Sequence, residues 1–234
     1  MAAPLRLAHR GDHRHAPENT LAAFDAALAL ESCDGLEFDV RSARDGTPIV
    51  LHDATLARVQ GQPDRADDLD PATLAALGVP TLAEALDRVP RTAFLDVELK
   101  EDVAAVAVVQ LRHARGPVLD RAAISSFDPR VLAHVRALEP DWRCWLNTDD
   151  LEARTLDLAR DLGCTGIAAR WTAIDPARAE RARVLGLDLV AWTVRRPRDL
   201  AHLAALGVFA ACVEDAALDD APPPVAHGSA LESA

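Results

Sequence analysis

Five short groups of polar residues in the first hundred positions combine side chains that move protons, hold cations and grip anions: His9-Arg10-Gly11, Glu18-Asn19-Thr20, Glu37-x-Asp39, His52-Asp53 and Glu98-x-Lys100. Most of them sit within, or at the ends of, otherwise apolar runs. Burying an ionisable group is costly unless it pairs, binds metal or does chemistry. Residues two apart on a strand face the same way, so Glu37 shares a surface with Asp39 and Glu98 with Lys100. Three carboxylates converging on one point would repel each other, whereas a hard divalent cation, Mg²⁺ or Ca²⁺, would stabilise all three. His9 and His52 add groups that transfer protons near neutral pH, suited to a phosphate or acyl centre.

The surrounding pattern indicates how these groups are positioned. Short apolar runs at 5–8, 35–40, 93–99, 122–127, 143–146, 166–169, 187–194 and 210–213 read as strands. Helical spacing begins at Leu21, Phe24, Ala27 and Leu28 and recurs at 81–88, 102–115, 129–138, 151–162, 176–185 and 197–206. Eight strands alternating with helices predict a single (β/α)8 barrel over residues 1–220. A doubly wound open sheet is the structural rival, but no G-x-G-x-x-G turn follows the first strand. In a barrel the active site collects at the C-terminal strand ends, where His9-Arg10, Glu37-x-Asp39 and Glu98-x-Lys100 close the first three strands.

His52 is placed by a turn. Asp45-Gly46 between two extended runs signals a two-residue hairpin, a small β extension after the second strand. In that register Arg44 faces Thr47 and Asp39 faces His52, which returns the histidine to the carboxylates.

Composition bounds the partners. The formal charge is −12 with no compensating basic cluster, which argues against nucleic acid or a membrane surface and leaves a small-molecule substrate. Cys33, Cys144, Cys164 and Cys212 are far apart, which suggests reduced, mostly buried thiols and no zinc site. The N-terminal residues lack the pattern of a signal peptide and no run has the length of a membrane span, so a cytoplasmic monomer or homodimer is expected. From Ala221 the composition shifts to Pro222-Pro223-Pro224, Gly228 and serines, and 221–234 is expected to be a flexible tail.

The ordered series Ala8-His9-Arg10-Gly11, Pro17-Glu18-Asn19-Thr20, Glu37-Phe38-Asp39-Val40, Asp45-Gly46 followed by His52-Asp53, and Glu98-Leu99-Lys100 resembles the glycerophosphodiester phosphodiesterases. The likeness extends from the first strand to Val213, with Ser126-Phe127 and Ala191-Trp192-Thr193 similar to the family's fourth and seventh strand ends. It implies a barrel that uses a divalent cation to cleave glycerophosphodiesters of lipid metabolism into glycerol 3-phosphate and an alcohol. By motif, Glu37, Asp39 and Glu98 would hold the metal, His9 and His52 would be the acid and base in an order left open, and Arg10 and Lys100 would contact phosphate oxygens. The resemblance also implies that the substrate's own glycerol hydroxyl attacks first, giving a cyclic phosphate that water opens.

Two segments depart from the family pattern. Thr55-Leu56-Ala57-Arg58-Val59-Gln60 replaces a T-L-D-R-T-T-like stretch, and Cys212-Val213-Glu214-Asp215 replaces a Thr-Asp ending, which predicts altered substrate contacts at the eighth loop. Glu18 is assigned a supporting place at the substrate, and Trp192 either barrel packing or a wall over glycerol or headgroup. Asn19 or Thr20 reads as the N-cap of the first helix, and the acidic run 64–70 as a solvated loop. Trp142 and Trp145 read as structural. The functional alternatives are a lysophospholipase D-type activity and a non-catalytic barrel that binds metal or phosphorylated metabolites.

Overall fold

The computed structural model describes residues 3–219, so the tail expected at 221–234 lies outside the described residues. Eight parallel strands close on themselves: β1 (Leu5–His9), β2 (Gly35–Ser42), β4 (Phe94–Leu99), β5 (Ala122–Ser126), β6 (Cys144–Thr148), β7 (Gly166–Arg170), β8 (Asp188–Val194) and β9 (Ala210–Val213). Each pairs with its neighbour and β1 joins both β2 and β9, as the (β/α)8 expectation requires. Helices α1 (Leu21–Leu28), α3 (Leu82–Arg88), α4 (Ala104–Arg115), α5 (Pro129–Leu138), α6 (Ala153–Asp161), α7 (Pro176–Val184) and α8 (Pro197–Ala205) fill the crossovers.

Alternation along each strand separates two apolar layers. Leu36, Phe38 and Val40 of β2, and Leu95, Val97 and Leu99 of β4, pack outward against helical residues such as Phe24, Leu82 and Leu111. Leu7, Phe94, Ala123, Trp145, Ala168 and Val190 point inward and fill the barrel. Trp145 stacks on Phe94 with ring centroids 5.8 Å apart, and Phe209 meets both edge-on. Gly166 makes room for that indole: a Cβ there would lie 2.6 Å from Trp145 Cδ1. Trp142 is also buried, with Nε1 donating to Pro117 O at 2.8 Å, so both tryptophans are structural as expected.

The hairpin exists, but its register differs from expectation by one residue. β3 (Pro48–Val50) runs antiparallel to β2, with Val40 opposite Val50 and Ser42 opposite Pro48. Ala43 N donates to Thr47 O, and Gly46, at φ +85, closes a three-residue loop, so Asp39 faces Leu51 rather than His52. His52 therefore lies beyond the ladder. Arg41 Nε donates to its carbonyl at 2.7 Å and pins the segment at the barrel mouth.

The acidic run also contains more structure than a loop. A 3-10 turn spans Ala66–Asp68, and Asp70 caps α2 (Pro71–Ala76) by accepting from Thr73 N. Leu56, Ala66, Leu74 and Val79 join Ala43, Ile49 and Leu51 in a satellite core that anchors the hairpin.

Candidate active site

The loop after β1 turns sharply. Arg10 and Asn19 adopt left-handed backbone, at φ +61 and +58, which non-glycine residues hold only when their surroundings over-determine it. Gly11, at φ +82, is required by packing as well, because a Cβ would meet the backbone of Ala23 on α1 at 2.6 Å. Thr20, not Asn19, caps α1 by accepting from Ala23 N. Asn19 is instead buried at the carboxylates: Nδ2 donates to Asp39 Oδ2 at 2.9 Å and Oδ1 accepts from Asp39 N.

The register of β2 and β4 sets the carboxylates in two tiers, Glu37 beside Asp96 and Asp39 beside Glu98. Glu37, Asp39 and Glu98 each offer an oxygen, all within 4.8 Å of one another. Glu37 Oε2 and Asp39 Oδ1 are buried without a hydrogen-bond partner among the described residues. Burial and the Asp39 charge push the Glu37 pKa well above its ordinary range, and burial with the same neighbour raises Glu98. Burial also acts on Asp39, but Arg10, Lys100 and His52 beside it, together with the Asn19 bond, hold its pKa low. Such a trio, acidic and incompletely partnered, suits a hard divalent cation.

The basic groups enclose the trio. Arg10 Nε lies 3.0 Å from Asp39 Oδ2, while Lys100 Nζ lies 2.6 Å from Glu98 Oε1 and 3.5 Å from Asp39 Oδ1. His9 Nε2 is 3.7 Å from Glu37 Oε2, and its Nδ1 is hydrogen-bonded to Glu214. His52 Nδ1 is 2.6 Å from Asp53 Oδ1. Burial, with Arg10 and Lys100 nearby, lowers the His52 pKa against the opposing pull of Asp39 and Asp53.

These side chains line one cavity of about 150 Å³ at the C-terminal strand ends, formed by His9, Arg10, Glu37, His52, Glu98 and Lys100 with Phe127 and Trp192. Trp192 meets Phe127 edge-on at 5.7 Å and donates from Nε1 to Ala168 O, so it both packs and forms a wall. Glu18 stands behind the cavity, where its carboxylate accepts from Arg10 Nη1 at 3.0 Å and from Arg58. A wider cleft of about 670 Å³ opens at the opposite barrel end around Arg121, Asp141, Arg143 and Asp188. It gathers none of the motif residues, and that end of a barrel serves stability.

Three contributors escape sequence reasoning. Asn19 reads as a helix cap from its residue type, although its place in the Pro17-Glu18-Asn19-Thr20 motif is a signal. Glu214 reads only as a departure at the eighth loop, yet it is the residue that holds His9. Asp96, two residues before Glu98 and therefore on the same face, lies against the cavity with its pKa raised by burial to about 7.

The model of the glycerophosphoryl diester phosphodiesterase family matches residues 9–218, nearly the whole described chain. The chain belongs to that family. As a member of the glycerophosphodiester phosphodiesterases, it is a hydrolase of phosphoric diesters. The glycerophosphodiester phosphodiesterase of Caldanaerobacter subterraneus subsp. tengcongensis is 26% identical over 229 residues, covering 90% of this chain and 94% of its own. A crystal structure of a glycerophosphodiester phosphodiesterase from Agrobacterium tumefaciens str. C58 superposes with a TM-score of 0.79 at 26% identity, covering 92% of this chain and 98% of its own. The fold is shared as well with an Oleispira antarctica phosphodiesterase solved in complex with the product sn-glycerol-3-phosphate, at a TM-score of 0.81 and 24% identity, covering 92% of this chain and 94% of the other. Among the described residues no helix is long and apolar enough to cross a membrane.

Proposed function

We propose that this glycerophosphodiester phosphodiesterase hydrolyses small glycerophosphodiesters to sn-glycerol 3-phosphate and an alcohol, with a divalent cation at Glu37, Asp39 and Glu98 and with His9 and His52 moving the protons. The observation that carries the proposal is the carboxylate trio, two of whose members, Glu37 and Glu98, line one cavity with two histidines, an arginine and a lysine, while Asp39 is fully buried beside them. The product complex of the Oleispira phosphodiesterase supports the choice of substrate. A cation held by the trio, Mg²⁺ or Ca²⁺, would neutralise charge that develops on the phosphoryl oxygens. The orphaned oxygens of Glu37 and Asp39 and the raised pKa values of Glu37 and Glu98 favour such an ion over an empty site.

The remaining chemistry falls to the protein's own side chains. Arg10 and Lys100, already aimed at the carboxylates, bind and orient the phosphoryl oxygens. His52 has its pKa lowered and is neutral near pH 7, and its Nδ1 is engaged by Asp53, which leaves Nε2 to accept a proton from the attacking glycerol hydroxyl. His9 enters the step with a proton on both ring nitrogens, Nδ1 bonded to Glu214, and passes the Nε2 proton to the departing alkoxide. When water opens the cyclic phosphate the two roles reverse, so both rings regain their starting protonation. Phe127 and Trp192 form an apolar wall beside the reacting groups.

A cytoplasmic location is supported by the free state of Cys33, Cys144, Cys164 and Cys212. The test of the function is a panel of glycerophosphocholine, glycerophosphoethanolamine and glycerophosphoglycerol incubated with cation-loaded protein, with both products identified. Release of glycerol 3-phosphate with the free alcohol is expected. Release of phosphoalcohol and glycerol, or of nothing from any of the three, would reject it.

A further inference from the structure

Arg58 is the arginine that the altered segment Thr55-Leu56-Ala57-Arg58-Val59-Gln60 shares with the family pattern, and it ties together the two loops that carry Arg10 and His52. Its Nη1 and Nη2 donate to Glu18 Oε2 and Oε1, each at 2.7 Å, and its Nε donates to Asp53 Oδ2 at 2.6 Å. Asp53 in turn holds His52 Nδ1 at 2.6 Å, and Glu18 accepts from Arg10 Nη1 at 3.0 Å. A single guanidinium thus spans Glu18, in the loop after β1, and Asp53, in the segment after β3.

We propose that Arg58 is a positioning residue for hydrolysis, fixing the orientation and tautomer of His52 through Asp53. The inference rests on the proton-transfer role proposed for His52. Only a planar fork with several donors can grip both oxygens of Glu18 and still reach Asp53; a lysine ammonium, a compact point charge, cannot reproduce that geometry.

The position of Arg58 separates this role from one in stability. Its side chain is 47% exposed, and ion pairs that exposed contribute little to folding. The surrounding segment is anchored independently, because Leu56 is fully buried in the satellite core and its N donates to Asp64 O at 2.9 Å. Arg10 has a second anchor that does not involve Glu18, its ion pair with Asp39. His52 depends more heavily on the clamp, since Asp53 is the partner of its Nδ1 and loses its own anchor with Arg58. The defect should therefore fall on kcat rather than on KM, and a shift of a catalytic group by about 1 Å is worth roughly 100-fold.

The experiment compares wild type with Arg58→Ala, Arg58→Lys, Asp53→Asn and the Arg58→Ala/Asp53→Asn double variant, on a glycerophosphodiester that the wild type hydrolyses. Arg58→Ala is expected to lower kcat about 10- to 100-fold with KM changed less than about threefold, and Arg58→Lys is expected not to restore it. Added guanidinium at millimolar concentration should partly rescue Arg58→Ala by refilling the fork, which a fold-stabilising role would not allow. The double variant should be about as slow as Asp53→Asn alone, because both changes act through one chain of contacts. The proposal is overturned if kcat of Arg58→Ala stays within about twofold of wild type, or if the two single losses multiply in the double variant. Should Arg58→Ala fail to fold, Arg58→Gln carries the same comparison. Failure of the wild type on every diester would strike the underlying reading instead, so the two failures are distinguishable.

Discussion

Glu214, at the end of the last barrel strand, accepts a hydrogen bond from Nδ1 of His9, at the end of the first, across 205 positions of sequence. Burial alone would raise the Glu214 pKa, but the His9 bond and the nearby charge of Arg195, whose Nη2 lies 2.7 Å away, bring it down to about 2. An ionised carboxylate can only accept, so the proton on that ring edge belongs to His9 Nδ1 and Nε2 faces the cavity. Closure of the barrel, by pairing β1 with β9, creates this contact.

Glu214→Gln keeps the shape but removes the charge and permits the opposite tautomer. The expected loss in kcat is about 100-fold or more, with cation affinity little changed. Parallel steady-state kinetics and cation titration would check this, and an unchanged kcat would remove Glu214 from the catalytic arrangement.

Asn19 holds Asp39 from both sides, donating to Oδ2 and accepting from the backbone N. Asn19→Ala leaves a buried carboxylate with one bond fewer, and loss of a group that orients a metal ligand weakens cation affinity by about 10- to 100-fold. Isothermal titration of the cation measures it. Thr20→Ala, which removes the α1 cap and the hydroxyl bond to Pro17 O but no contact with Asp39, should lower stability by about 1 kcal/mol and leave the cation affinity alone.

Activity should fall on the acid side as His52 becomes protonated. Because burial moves this pKa below the ordinary histidine value of 6.5, the neutral, active form persists through that value and the acid limb of kcat/KM, which reports the free enzyme, lies below it. A limb centred above pH 7 would contradict the assignment of His52 as the first base.

The cation ligands and the proton-transfer pair should separate on substitution. Glu37→Ala is expected to weaken cation binding itself, while His9→Ala and His52→Ala are expected to bind the cation nearly as wild type and lose turnover by at least about 100-fold. Cation titration alongside turnover distinguishes these classes, and loss of the cation in the histidine variants would contradict this division of labour.

Much of this site is legible in the sequence because strand alternation and order are local properties. Glu37, Asp39 and Glu98 lie on the inward face that a period of two predicts, and His9 ends the strand that its apolar run defines. His52 reaches the mouth as expected but through a different register, since Asp45-Gly46 reads as a two-residue turn and the chain makes a three-residue one. The difference is harmless because His52 leaves the ladder before the register can aim it. α2 carries its signals openly in Asp70-Pro71 and Gly78, yet the acidic run before them masks it. Glu214 and Arg58 are out of reach for a different reason: their roles exist only once distant segments meet, and no periodicity encodes the partner; Asn19 is signalled by its motif, but its partner Asp39 is not.

The central claim is a cation-dependent cleavage of glycerophosphodiesters at this cavity, and glycerol 3-phosphate release by one preparation, stripped with chelator and then reloaded with Mg²⁺ or Ca²⁺, tests it most directly. Release from the untreated enzyme, loss of release on stripping and return of release on reloading are the expected results. Release that persists undiminished in the fully stripped protein, or none under any of the three conditions, would contradict it.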